Sequence, residues 1–138
     1  MNLSKEMIAW KPIIIGVVIA LLLYLLSSES LTFIAFLLAG IAVGYMVGGK
    51  ILDGIVNGAI FGVIGAIIAF VILLIMLVSE GVTSYISYFI VTLLIYIVAE
   101  IILGTVGGAI GSLIKSESSI DRDEEEEEEE EEKEEKSE

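Results

Sequence analysis

The chain contains no cysteine and no histidine, two residue types that carry much of protein chemistry. Their absence excludes disulfide frameworks, thiolate metal sites and catalysis by histidine. The sequence has no nucleophile–base pair, no cluster of metal ligands and no phosphate loop, since Gly48-Gly49-Lys50 lacks the spacing and the Ser or Thr of a P-loop. We therefore expect no catalytic residue, no cofactor and no metal, and predict that the protein is not an enzyme.

Polar residues are scarce outside the C-terminal segment. Of the 138 residues, 57% are hydrophobic, and the mean hydropathy is +0.95. The apolar residues form four runs before residue 115, each near the length of about 20 residues that crosses a bilayer core of about 30 Å. Because the connections are short, these runs predict an all-α, integral membrane four-helix hairpin bundle over 1–115, with helices at about 7–26, 31–49, 54–78 and 85–114.

Two of the runs have alternative interpretations. The first has a basic start and small residues at 27 and 28, as a signal peptide does, but the next apolar run begins at Leu31, so cleavage would leave almost nothing before it. The fourth is too long for one upright span. It could tilt, extend beyond the bilayer, or break near Gly104, Gly107 and Gly108.

Negative charge is concentrated at the C-terminus. Residues 116–138 hold fifteen acidic and three basic residues, a net charge of −12, whereas the rest of the chain carries −1. Nine consecutive glutamates begin at Glu124. Like charges four residues apart oppose a helix, so we expect a disordered, low-complexity cytoplasmic tail. A solvated tail is one interpretation; docking to a basic protein partner or loose binding of divalent ions is the other, and no nucleic-acid binding is expected.

The basic residues of the apolar part predict its orientation. Lys5, Lys11, Lys50 and Lys115 fall on one side of an even-numbered threading, whereas the other two connections contain Glu29 and Glu80 and no basic residue. By the positive-inside rule, both termini are expected in the cytoplasm of a multi-pass cell-membrane protein.

Glycines recur at every fourth position in three of the runs. In lipid, small residues at this spacing allow helix backbones to approach closely. They predict tight packing of the second, third and fourth helices toward the cytoplasmic end; the alternatives are a glycine-lined permeation path and a contact between copies in a homo-oligomer. The helix-packing candidates are Gly40, Gly44, Gly48, Gly54, Gly58, Gly62, Gly104 and Gly108.

Polar residues within the apolar runs form a candidate intramembrane polar site of Glu100, Tyr96 and Asn57. Glu100 has about fifteen apolar-helix residues on each side, so it should face the bundle or be protonated. Tyr96, one turn earlier, is expected to hydrogen-bond the carboxyl group, and Asn57 to bond across to the second or fourth helix. Asp53 is expected to be an N-cap. A proton or cation site and an interhelical hydrogen bond are both consistent with Glu100.

The central block A-G-x-x-x-G-Y-x-x-G-G-x-x-x-D-G-x-x-x-G-A, from Ala39 to Ala59, resembles a family of small archaeal membrane proteins of unknown function found mainly in methanogens. The resemblance covers roughly residues 10–114, and it implies four glycine-rich transmembrane helices, a cell-membrane location and no assigned active site. The expected role is structural or accessory, through glycine-mediated helix association, with the lipid bilayer as the surroundings. A small transporter or ion channel that uses Glu100 is the alternative.

Overall fold

A computed structural model describes residues 8–26, 32–79 and 86–137. All regular structure in these ranges is helical: α1 is Trp10–Leu26, α2 Thr32–Val47, α3 Ile51–Ser79 and α4 Ile86–Ser137. The prediction of an all-α chain with four helices is thus confirmed for the described ranges. The predicted connections at 27–30 and 80–84, together with Lys5, Glu29, Glu80 and Tyr85, lie outside them.

The helices alternate in direction, and α4 is the central one. It packs most extensively against α3 and α2, whereas α1 packs mainly against α2 and contacts α3 less. Gly44 and Gly54 both face Gly108, and Gly58 faces Gly104, so α2 runs parallel to α4 and α3 runs antiparallel to it. Short connections predicted sequential neighbours, but α2 packs more closely against α4 than against α3 because α4 presents glycines to both.

The break between α2 and α3 differs from the prediction. Gly48 and Gly49 have φ angles of 62° and 73°, a left-handed conformation that ends α2 at Val47. Helix α3 begins at Ile51, so Lys50 is the N-cap and Asp53 lies in the first turn. The Asp53 Oδ2 atom accepts a hydrogen bond from the backbone N–H of Lys50 at 3.3 Å, the acidic half of a capping box. Asp53 therefore caps from inside the helix, and the expectation of an N-cap at this residue was wrong.

Helix α4 excludes one of the alternatives for the fourth run and corrects the expectation for the tail. It passes through Gly104, Gly107 and Gly108 without a break, because the backbones of α2 and α3 hold it on two sides. It also continues to Ser137, so the segment predicted to be disordered is helical. Extending an existing helix avoids the cost of nucleation, and glutamate is a good helix former. We call residues 115–137 the acidic arm.

The interior of the bundle is small. Its central cluster consists of Ile13, Phe36, Ala39, Val43 and Phe61, with the Phe36 and Phe61 rings stacked at 4.7 Å. Most large apolar side chains are exposed along all four helices. By length and composition α3 and α4 are able to cross a membrane, whereas α1 and α2 are apolar but shorter, with 17 and 16 residues.

Candidate functional site

The most closely packed region of the molecule is a glycine seam, where the backbones of α2, α3 and α4 touch without side chains between them. At each position of the seam, an added Cβ atom would lie against backbone atoms of a neighbouring helix. Its members are Gly40, Gly44, Gly54, Gly58, Gly62, Gly104, Gly107, Gly108 and Gly111.

Gly108 is the point at which all three helices converge. A Cβ atom added to Gly44 on α2 or to Gly54 on α3 would overlap the carbonyl oxygen of Gly108, and one added to Gly108 would overlap that of Gly54. Each obstacle is backbone and cannot rotate away as a side chain can. The spacing of the helices therefore depends on glycine at all three positions.

The spacing of the backbones in the seam widens from Gly108 toward Glu100. A Cβ atom on Gly62 would lie 2.8 Å from the carbonyl oxygen of Glu100, whereas one on Gly40 would lie 3.4 Å from the Gly104 Cα atom. The latter distance approaches ordinary van der Waals contact. Gly40 is thus the seam position that best accommodates alanine.

Helix α4 contacts its two neighbours through two adjacent rows of glycines. Gly104 and Gly108 face α3, whereas Gly107 and Gly111 face α2: a Cβ atom on Gly107 would lie 2.8 Å from the carbonyl oxygen of Leu37. Of the predicted packing glycines, Gly48 lies outside the seam. It was wrongly included as a helical residue, since its position past the end of α2 requires a positive φ.

Sequence reasoning missed two packing residues, Gly16 and Ser112. A Cβ atom on Gly16 of α1 would overlap the side chain of Val43, so this glycine lets α1 lie against α2. Ser112 is completely buried, and its hydroxyl group lies 3.1 Å from the Lys50 carbonyl oxygen and 3.4 Å from that of Gly48. Its donor thereby ties α4 to the turn between α2 and α3. Gly16 stands alone among large apolar residues. Ser112 continues the four-residue spacing of Gly104 and Gly108 as a small residue, a signal that a search for glycine alone misses.

Asn57 is fully buried and joins α3 to the start of α1. Its side-chain oxygen accepts a hydrogen bond from the backbone N–H of Ala9 at 2.7 Å, and its amide donates to the Asp53 carbonyl oxygen at 2.8 Å. The sequence predicted a partner on the second or fourth helix. The structure uses Asn57 to satisfy a backbone donor that precedes α1, a bond that the sequence did not indicate.

Glu100 lies where the glycine seam ends. The residue is 8% exposed, and its Oε2 atom has no hydrogen-bond partner among the described residues. This atom would lie 3.7 Å from a Cβ atom added to Gly65, beside the ring of Phe36. Among the described residues Tyr96 forms no hydrogen bond with this atom, and its ring stacks on that of Phe33 at 5.5 Å. The structure therefore does not bring Glu100, Tyr96 and Asn57 together into one site.

The acidic arm offers no ready metal site. Within the described parts of the chain, no three acidic side chains converge to hold a metal ion, although the arm is rich in glutamate. The helical geometry spreads these carboxylates around the rod. Two of them instead form ion pairs four residues along the helix, Glu129 with Lys133 and Glu132 with Lys136.

Comparison with protein families gives one match. Residues 10–114 match the model of a family described as a family of unknown function, DUF5518. The chain belongs to this family. The match spans α1 to α3 and the apolar part of α4, and it stops immediately before the acidic arm. Searches of curated proteins and of solved structures find no significant match.

Proposed function

We propose that the protein is a four-span integral membrane protein of the cell membrane that has no catalytic activity and acts as a structural or accessory component through helix association. The observation that carries the proposal is the inverted distribution of side chains. Buried positions are mainly glycine and alanine, whereas leucine, isoleucine and valine cover the outside of every helix. Exposing such a continuous apolar surface to water is unfavourable, whereas exposing it to the hydrocarbon of a membrane is not.

The placement of positive charge supports one orientation. Ala9, two residues before Lys11, is bonded to the second turn of α3, which follows Lys50. Lys115 lies over the Tyr45 ring near the end of α2, with its Nζ atom 4.9 Å from the ring centroid. These three lysines therefore share one end of the bundle, and the positive-inside rule assigns that end to the cytoplasm, with both termini.

The glycine seam supports a role through association more than one as a conduit. Because neighbouring backbones fill it, the seam glycines do not line a passage through the described bundle. The outer faces of the helices remain available to lipid or to further copies of the chain. The archaeal family that the sequence resembles, in which no active site is assigned, agrees with this role.

Membrane insertion and orientation can be tested with introduced cysteines, since the native chain contains none. We expect the full chain to remain in the membrane after carbonate extraction. Ser4→Cys and Ser137→Cys should react with an impermeant maleimide only after the cells are opened, whereas Ser28→Cys and Ser84→Cys should react in intact cells. Release of the chain into the aqueous fraction would refute the proposal, and termini labelled on opposite faces would refute the four-span threading.

A second candidate function, ion or proton transport, is favoured by one observation. Among the residues that the structure describes, the Glu100 Oε2 atom is buried without a hydrogen-bond partner, as a carboxylate that exchanges a cation or proton would be. Glu100 precedes Lys115 by fifteen residues, or about 22 Å along the helix, so it lies deep within the proposed membrane span. We expect liposomes containing the full chain to show no cation or proton flux that Glu100→Gln removes. A pH-sensitive flux abolished by this substitution would instead establish transport.

A further inference from the structure

A small, partly open cavity, lined by both polar and apolar atoms, lies at the end of the bundle where the acidic arm begins. It has a volume of about 110 Å³ and opens between α2 and α4. Its lining combines one aromatic residue of α2 with two cations, two hydroxyl groups and one carboxylate of α4: Tyr45, Lys115, Ser118, Ser119, Arg122 and Asp123. None of these contacts is used by the glycine seam.

The two cations of the cavity are free of ion pairs, although the neighbouring sequence is acidic. Arg122 is the one arginine of the sequence. In the described part of the chain, the ion pairs are Lys133 with Glu129 and Lys136 with Glu132, so neither Lys115 nor Arg122 has a carboxylate partner. Lys115 is instead held over the Tyr45 ring. Two unpaired cations beside a cavity provide a site for an anion.

Charges in this segment are sorted around the helix. At about 100° per residue, Lys115, Ser118, Ser119 and Arg122 lie within about 100° of arc, whereas Glu117 and Asp121 point to the opposite side. Asp123 stands at the border of the cavity. The cationic face is therefore local, and it is followed by the acidic remainder of the arm.

The position of the cationic face along α4 also matches the depth of the lipid headgroups. Lys115 directly follows Ile114, the last residue of the fourth apolar run, and Arg122 lies about 10 Å farther along the helix. The polar layer of a bilayer extends about 5–8 Å beyond the hydrocarbon on each side. On the proposed membrane orientation, on which this step rests, Lys115 lies within the cytoplasmic headgroup layer. Arg122 lies at the outer edge of that layer, with a side chain long enough to reach back into it, and the glutamates lie beyond.

We propose that this cavity binds a phosphate group, presented by an anionic lipid headgroup or by a soluble phosphate. The Arg122 guanidinium group and the Lys115 ammonium group donate hydrogen bonds to the phosphate oxygens, and the ring of Tyr45 positions Lys115. The glutamates of the arm are repelled by the same anionic surface, so they point the rod away from the membrane.

The test is native mass spectrometry of the full chain in detergent, with phosphatidylglycerol or phosphatidylcholine of identical acyl chains added. We expect phosphatidylglycerol to bind preferentially. The cavity variant, which combines Lys115→Gln and Arg122→Gln, should bind phosphatidylglycerol about tenfold or more weakly than the wild type. The matched control, Lys133→Gln with Lys136→Gln, removes the same charge from the far end of the arm and should leave binding unchanged. Circular dichroism verifies that both double variants keep the wild-type helix content.

Inorganic phosphate, added as a competitor, distinguishes the sources. If millimolar phosphate displaces phosphatidylglycerol, the cavity binds a soluble phosphate. If phosphate does not displace phosphatidylglycerol, and the cavity variant still fails to bind this lipid, the cavity binds the lipid headgroup. Equal binding by wild type and cavity variant, or equal loss in both double variants, overturns the proposal. None of these outcomes depends on the cysteine labelling above, so failure of the cavity and failure of the membrane assignment are distinguishable.

Discussion

The two parts of α4 have the same secondary structure and opposite surroundings. Up to Ile114 the helix lies between α2 and α3, where Gly104 and Gly108 touch other backbones. From Lys115 to Ser137 no side chain is buried, and the ion pairs of the arm join residues of the same helix. Tertiary packing thus stabilises the first part. Beyond the contact of Lys115 with Tyr45, helix propensity and local ion pairs stabilise the second. Substitutions should therefore have different consequences on the two sides of Lys115.

The largest effect is expected from Gly108→Ala. Overpacking against the backbones of α2 and α3 costs about 3 kcal/mol, and the better helix propensity of alanine recovers about 1 kcal/mol, so we expect a net destabilisation of about 2 kcal/mol. Denaturation of the purified chain in mixed micelles, followed by circular dichroism, measures it. Val106→Ile, which enlarges a 45% exposed side chain of the same helix, is the control and should be near neutral. Equal stability of the two variants would mean that the seam is not tightly packed.

A smaller effect of opposite sign is expected from Glu100→Met. Methionine keeps the unbranched shape of the side chain and removes a carboxyl oxygen that is buried without a hydrogen-bond partner in the described part of the chain. We expect stabilisation of about 1.5 kcal/mol, the cost of leaving such a group unsatisfied. The same micelle titration measures it, with Glu117→Met on the exposed side of the arm as the control. A marked loss of stability would reveal a polar partner for Glu100.

Ser112→Ala examines the boundary between the two parts of α4. It removes the hydroxyl donor between the Gly48 and Lys50 carbonyl oxygens, and we expect a loss of about 1 kcal/mol. Ser119→Ala removes an exposed hydroxyl that bonds only within the arm, at 2.8 Å from the Ser116 carbonyl oxygen, and should change stability little. If both substitutions have the same effect, the bond of α4 to the turn between α2 and α3 contributes nothing measurable.

The sequence was sufficient for features that repeat at a fixed interval. Apolar runs indicated four helices. Glycines at every fourth residue indicated the positions at which helix backbones lie close together, as at Gly44 and Gly58. It was insufficient where the role of a residue depends on a distant part of the chain. The bond from Asn57 joins residues 48 positions apart, and the contact of Gly16 with Val43 crosses between helices. No local spacing encodes either of these.

The sequence also misled where opposing local effects are close in size. At Gly48, membership of a four-residue series suggested a helix, but the helix ends one residue earlier and the position adopts a positive φ. In the arm, repulsion among glutamates suggested disorder. However, α4 enters the arm as a helix already formed. Each further residue therefore requires only propagation of that helix and no new nucleation.

The smallest effect is expected at the far end of the arm. Lys133 and Lys136 each follow a glutamate by four residues, the favourable order on a helix, and each exposed pair contributes about 0.3–0.5 kcal/mol. Replacing both lysines by glutamine should therefore speed amide hydrogen exchange in the last turns of the arm by about two- to fivefold, and exchange in residues 86–114 should not change. The effect should shrink in high salt, since salt screens exposed charges. Faster exchange in the packed part of α4 would show that the two parts unfold together, and the contrast between packing and local stabilisation would then be wrong.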